Sequence, residues 1–155
     1  MKKTLYTLFA VLGLCLLSSC GSDDKDNTSP LAKQFAGEWH LASWNGTAPT
    51  NFDAYVSFSA NGSFEIYQQI EQVYYEKYTG SYQLRDKSVS GKYSDNTPWN
   101  SNYEISFDEA GNTLTMVSDP SVGEVSVYTR AAIPGSIKSE ASVMKASRSA
   151  SRLLF

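Results

Sequence analysis

The 155-residue chain is poor in the groups that chemistry most often needs, with two cysteines and a single histidine. Cys15 sits inside an apolar leader and Cys20 at its end, so no pair remains for a disulfide and stability has to come from a core. His40 is the only imidazole, and no metal-ligand spacing surrounds it. The nucleophile-elbow pattern Gly-x-Ser-x-Gly is missing as well. Positive charge is scarce: from Cys20 to Arg130 seven Lys or Arg face fifteen Asp or Glu, which speaks against a nucleic-acid surface. No apolar run reaches the roughly twenty residues of a membrane-spanning helix, and residues 35–134 lack the 3.6-residue period of a helical domain. The expectation is a non-catalytic protein without metal or cofactor.

What the sequence does have begins at its first residues. Lys2 and Lys3 precede the apolar stretch 5–17, followed by Leu17-Ser18-Ser19-Cys20. These are the charged, apolar and small-residue regions of a secretory signal, predicted over residues 1–19. The Leu-Ser-Ser-Cys run resembles the lipobox of bacterial lipoproteins. That resemblance implies that Cys20 carries the lipid and that two or three acyl chains hold the protein on a membrane. Residues 20–34 open with Gly21-Ser22-Asp23-Asp24-Lys25-Asp26 and are predicted to be a flexible tether, too polar to bury a surface. Their acidic start resembles the export signal of surface-exposed lipoproteins in Bacteroides-type bacteria.

Between residues 35 and 134 apolar and polar residues alternate with a period of two, and Tyr, Val, Phe, Trp, Thr and Ser dominate. Strands are predicted over 37–44, 55–59, 63–69, 73–84, 88–93, 102–108, 113–118 and 124–130. On the first, Trp39 and Leu41 take one face and Trp44 the other. Asn61-Gly62 favours a hairpin, Arg85-Asp86-Lys87 and Glu109-Ala110-Gly111-Asn112 read as turns, and Gly80 and Gly91 as bends. Short hairpins with no helix between them exclude βαβ folds. The predicted fold is all-β: an eight-stranded antiparallel up-and-down barrel, closed so that no edge is left bare, with a flattened or partly open barrel as the alternative.

Several short motifs support a family resemblance: Gly37-x-Trp39, Phe58-x-x-x-Gly62-x-Phe64, Gly80-x-Tyr82, Gly91-x-Tyr93 with Trp99 and Tyr103, Leu114-Thr115-Met116 and Tyr128-Thr129-Arg130. They resemble the lipocalin-like domain of small lipoproteins from Bacteroides-type bacteria, a distant relative of lipocalins and fatty-acid-binding proteins. The resemblance spans residues 35–134. It implies that Trp39 and Arg130 form a structural pair closing the barrel bottom, the guanidinium lying across the indole, and that the outer membrane is the destination.

Tyr78, Tyr82, Tyr93, Trp99, Tyr103 and Met116 are assigned to inward positions and are the candidate lining of a ligand pocket. Tyrosine and tryptophan pair an apolar body with a polar tip, as such a lining requires. Glu65 and Glu104 alternate with apolar residues as solvated strand positions do, and His40 points away from Trp39 to a surface or rim. The predicted partners are the membrane, through Cys20, and a small apolar or amphipathic ligand. The alternative is a filled barrel that meets a surface protein or glycan through a tyrosine-rich outer face. Residues 135–155 carry Lys138, Lys145, Arg148 and Arg152 against Glu140 alone; this basic, Ser/Ala-rich tail is expected to be disordered or a short helix.

Overall fold

The computed structural model describes residues 29–149 and 153–155. The signal segment, Cys20 and most of the tether lie outside the described residues. A short helix α1 (Pro30–Phe35) leads into eight strands: β1 (Gly37–Trp44), β2 (Phe52–Phe58), β3 (Ser63–Ile70), β4 (Glu76–Arg85), β5 (Ser88–Tyr93), β6 (Tyr103–Phe107), β7 (Thr113–Ser118) and β8 (Val125–Arg130). A second short helix α2 (Gly135–Glu140), a two-residue strand β9 (Ser142–Val143) and a 3-10 turn (Ala146–Arg148) follow.

Each of the eight strands pairs antiparallel with its sequence neighbour, and β1 pairs with β8 through Trp39↔Arg130 and His40↔Thr129, so the sheet closes on itself. The ring is an eight-stranded up-and-down barrel, and β9 lies outside it, parallel to β4 at Glu76↔Ser142. Alternation decides which side chains fill it. On β4, Tyr78, Tyr82 and Leu84 are buried while Ser81, Gln83 and Arg85 are exposed, as a half-buried strand demands. One-residue register slips would turn that whole set outward.

The β2–β3 hairpin is built as a bulged turn. Only Gly62 takes a positive φ, +82°; Asn61 instead uses its side-chain oxygen to accept from the Ser63 amide at 3.0 Å. A glycine at the left-handed position is what this turn needs.

Three expectations for the strands change in the structure. The fourth strand begins at Glu76 rather than 73, because residues 71–74 form bends: Glu71 has φ +58° and Val73 is 94% exposed. The second starts earlier, at Phe52. Trp44 does not face opposite to Leu41. A register shift between Leu41 and Ser43 puts Trp44 across from buried Ser126, so the bulge turns the indole toward the core.

Part of the expected tether also differs, while the tail holds a short helix, one of the two states expected of it. Residues 30–34 of the expected tether are helical: Ser29 caps α1 by accepting from the Ala32 amide at 3.1 Å, Pro30 supplies the first turn, and Ala32 and Phe35 are buried. The tail contains the short helix α2, but its described residues are otherwise held in place. Ile133 is buried, and its amide donates to Glu38 at 2.7 Å. Lys138 bonds the same carboxylate at 2.6 Å. This strap crosses the outer face of the barrel.

The two ends of the barrel are unlike. At one, Phe35 of α1 stacks on Phe58 at 4.1 Å between ring centres and Trp39 donates to the Phe35 carbonyl at 3.0 Å, so the helix is a plug. The other is ringed by the longer connections 45–51, 71–75, 94–102 and 119–124. The candidate site lies at this second end.

Candidate functional site at the loop end of the barrel

Tyr78, Tyr82, Tyr93, Trp99, Tyr103 and Met116 are all buried, none more than 6% exposed. They do not share one space. Tyr82 belongs to the closed end, where its ring meets Phe35 and Phe58, each at 5.3 Å, and its hydroxyl donates to the Ser59 carbonyl. Met116 lies in the core opposite Ile105 and Ser126. Tyr93, Trp99 and Tyr103 come together nearer the loops, with Tyr78 6.0 Å from Tyr93.

The local sequence explains how this trio is held. The Trp99 amide donates to the Gly91 carbonyl at 3.0 Å, laying the indole over that glycine. A Cβ on Gly91 would stand 2.4 Å from the indole, so only glycine permits the approach. Gly80 serves the same end: a Cβ there would meet the Phe64 ring at 2.6 Å and the Lys92 carbonyl at 2.2 Å. Phe64 in turn packs edge-on to both Tyr93 and Trp99, at 5.6 and 5.2 Å. Tyr103 is fixed by a 2.6 Å bond from its hydroxyl to Asn100.

The centre of the trio is filled. Phe155 is 1% exposed and lies 4.6 Å from Trp99 and 5.5 Å from Tyr103, ring centre to ring centre. The Tyr93 hydroxyl donates to its carbonyl oxygen at 3.0 Å, and Gln68, fully buried on β3, accepts from the Leu154 amide at 3.1 Å. Sequence reasoning missed these two residues; a Leu153-Leu154-Phe155 run closing a Ser/Ala tail was the available signal.

The electrostatics favour neutral groups. Burial pushes the Tyr93, Tyr103 and Tyr128 phenols up, so they stay protonated at any physiological pH, and it pushes Tyr82 up to about 12. Burial also raises the Glu124 carboxyl, against the pull of an Asn100 hydrogen bond. The Trp99 indole N–H is buried without a partner. Such a lining suits an apolar guest with a few hydrogen-bonding groups.

Trp39 and Arg130 sit at the opposite end, the guanidinium carbon 4.1 Å from the ring centre. On the outer wall His40 contacts Asp53 at 2.7 Å and stacks on Tyr55 at 4.3 Å, while the Tyr75 hydroxyl donates to the second Asp53 oxygen. Burial and that carboxylate raise the Tyr75 phenol. Both oxygens of Asp53 are engaged, and the cluster reads as a polar weld between β1, β2 and the 71–75 loop. Glu65 is not simply solvated: it binds Lys77 at 2.7 Å and accepts from Tyr67. Among the described residues no group of three or more His, Cys, Asp or Glu is placed to hold a metal ion, and no helix is long and apolar enough to cross a membrane.

No family model and no curated protein matches the sequence. Among solved structures, the chain is similar to lipoprotein YedD from Klebsiella pneumoniae, with a TM-score of 0.45 and 13% identity over 67% of this chain and 78% of that one. It is also similar to an uncharacterized protein from Bacteroides eggerthii, with a TM-score of 0.44 and 14% identity over 62% of this chain and 98% of that one.

Proposed function

We propose that the protein is a non-catalytic binding module of the cell envelope, lipocalin-like in kind, tethered to the outer membrane through a lipid on Cys20. It holds a small apolar or amphipathic ligand at the loop end of its barrel. The observation that carries this reading is the occupancy of that end by an apolar pair, Leu154 and Phe155, with main-chain groups met by Gln68 and Tyr93. A space that seats an aromatic ring between Trp99 and Tyr103, and also hydrogen-bonds an amide, has the chemistry of an amphiphile site. The signal and Leu-Ser-Ser-Cys motif support the tether.

Native mass spectrometry of the protein purified gently from its own host type, compared with a denatured sample, tests the reading. An extra mass lost on denaturation identifies a co-purifying ligand and gives its size. A bare mass that stays bare after incubation with mixed lipids and bile-type amphiphiles rejects it.

One observation favours a second reading, a filled barrel working through its outer surface. Val73 and Tyr74 stand exposed in the 71–75 loop at 94% and 47%, and Val143 of β9 at 76%. These would meet a surface protein or glycan while the interior stays closed.

A further inference from the structure

Residues 153–155 follow every strand in the sequence, yet Leu154 and Phe155 are as buried as the strand residues around them. Ordinary core positions contribute side chains from a wall whose main chain is already paired in the sheet. Here main chain itself enters the interior, and its amides and carbonyls need partners that no strand offers. Gln68 and Tyr93, both inward-facing, supply them: Gln68 accepts from the Leu154 amide, and the Tyr93 hydroxyl lies within 3.0 Å of the Phe155 carbonyl and 3.4 Å of its amide nitrogen.

The walls of this seat are held by bonds that do not involve its occupant. Trp99 is fixed on Gly91 and Tyr103 on Asn100, and Phe64 braces Tyr93 and Trp99. The Trp99 indole N–H, a donor on a side chain 6% exposed, is left unused by the present occupant. A guest with an acceptor near its aromatic group would gain a hydrogen bond that Phe155 does not make.

We infer that Leu154–Phe155 is an internal ligand of the barrel: the seat is an amide-reading aromatic site, and an outside molecule enters only by displacing the chain's own tail. This rests on the ligand-binding reading above and adds both its regulation and a ligand class. The guest is an amphiphile that joins an aromatic or branched apolar group to a neighbouring amide, as a short apolar peptide does. Its apparent affinity is set by the fraction of molecules with the tail out.

The test compares residues 29–155, which hold every described strand and the described core, with the same chain stopped after Arg152 and with Phe155→Ala. Two probes are used, the fluorescein-labelled pentapeptide of residues 151–155 and the fluorescent fatty acid cis-parinaric acid. The stopped chain is expected to bind the peptide saturably, and the intact chain at least about tenfold more weakly if its seat is open less than a tenth of the time. Phe155→Ala should fall between them. A folded stopped chain that ignores the peptide overturns the inference, as does failure of both variants to fold, which would make the pair ordinary core. Parinaric acid bound equally by intact and stopped chains, and not displaced by peptide, rejects the internal ligand but keeps the binding reading. Peptide binding with no fatty-acid binding keeps the internal ligand and removes lipid-like amphiphiles as the guest.

Discussion

The Arg130 guanidinium lies over Trp39 with 4.1 Å between its central carbon and the ring centre, and its nitrogens reach three carbonyls: Gln34 at 2.6 Å, Ala36 at 3.2 Å and Gly111 at 3.3 Å. One side chain from β8 thereby ties α1, the start of β1 and the β6–β7 turn together. Gly37 makes room for it, since a Cβ there would stand 2.3 Å from a guanidinium nitrogen, and its φ of +138° disfavours any other residue. Lysine has neither the planar face nor the fork to do this. Arg130→Lys is therefore expected to lower stability by about 1–3 kcal/mol, read from the urea midpoint. An unchanged midpoint would reject the role of the stack.

The strap over the outer wall should respond to acid. Burial raises the Glu38 carboxyl, but the Lys138 hydrogen bond and the Ile133 amide outweigh it, leaving the group below its ordinary 4.5. The folded state thus holds this proton less tightly than the unfolded one. Its stabilisation is complete above pH 4.5 and disappears as pH falls through the lowered value. Amide exchange at Ile133 is expected to accelerate over that acid range beyond its intrinsic trend, and Glu38→Gln should abolish the dependence. A pH-independent protection ratio would contradict the assignment.

Glu124 carries the opposite sign. Its carboxyl is raised, chiefly by burial, and one of its oxygens has no hydrogen-bond partner. The folded state binds this proton more tightly than the unfolded one, so ionisation above the raised value costs stability. Glu124→Gln should therefore stabilise the protein at neutral pH. The gain should vanish below the ordinary carboxylate range. Thermal melts of the pair at acid and neutral pH measure both halves, and a destabilised variant at neutral pH would refute the argument.

The strands were legible because their signal is local: alternation on β4, β6 and β7 and the glycine of the 59–63 turn each depend on neighbours a few residues away. The closing pair Trp39↔Arg130 came from family resemblance and not from pattern, since nothing in either residue's surroundings announces the other. What escaped is what tertiary contact decides. Trp44 sits on an alternating strand, and only the bulge beside Leu41 reveals that it turns inward. Ser29-Pro30 is a helix-start signal, but a six-residue helix gains its stability from burying Phe35, which no propensity reports. The candidate pocket residues are all buried, yet burial alone does not say that Tyr82 packs against the plug while Tyr93 meets Phe155. Leu154 and Phe155 were the hardest, for their partners Gln68 and Tyr93 lie 86 and 62 residues away.

Those separations bear on the order of events in folding. The hairpins β2–β3 and β6–β7 join residues close in sequence and lose little chain entropy on pairing. Closure through β1 and β8, the Arg130 tie to Gln34 across 96 residues and the Lys138 bond to Glu38 across 100 each demand that nearly the whole chain be gathered first. Loop-closure cost therefore favours the hairpins forming first, the ring closing on them, and the segment that fills it arriving last. Time, as well as space, separates the container from its contents.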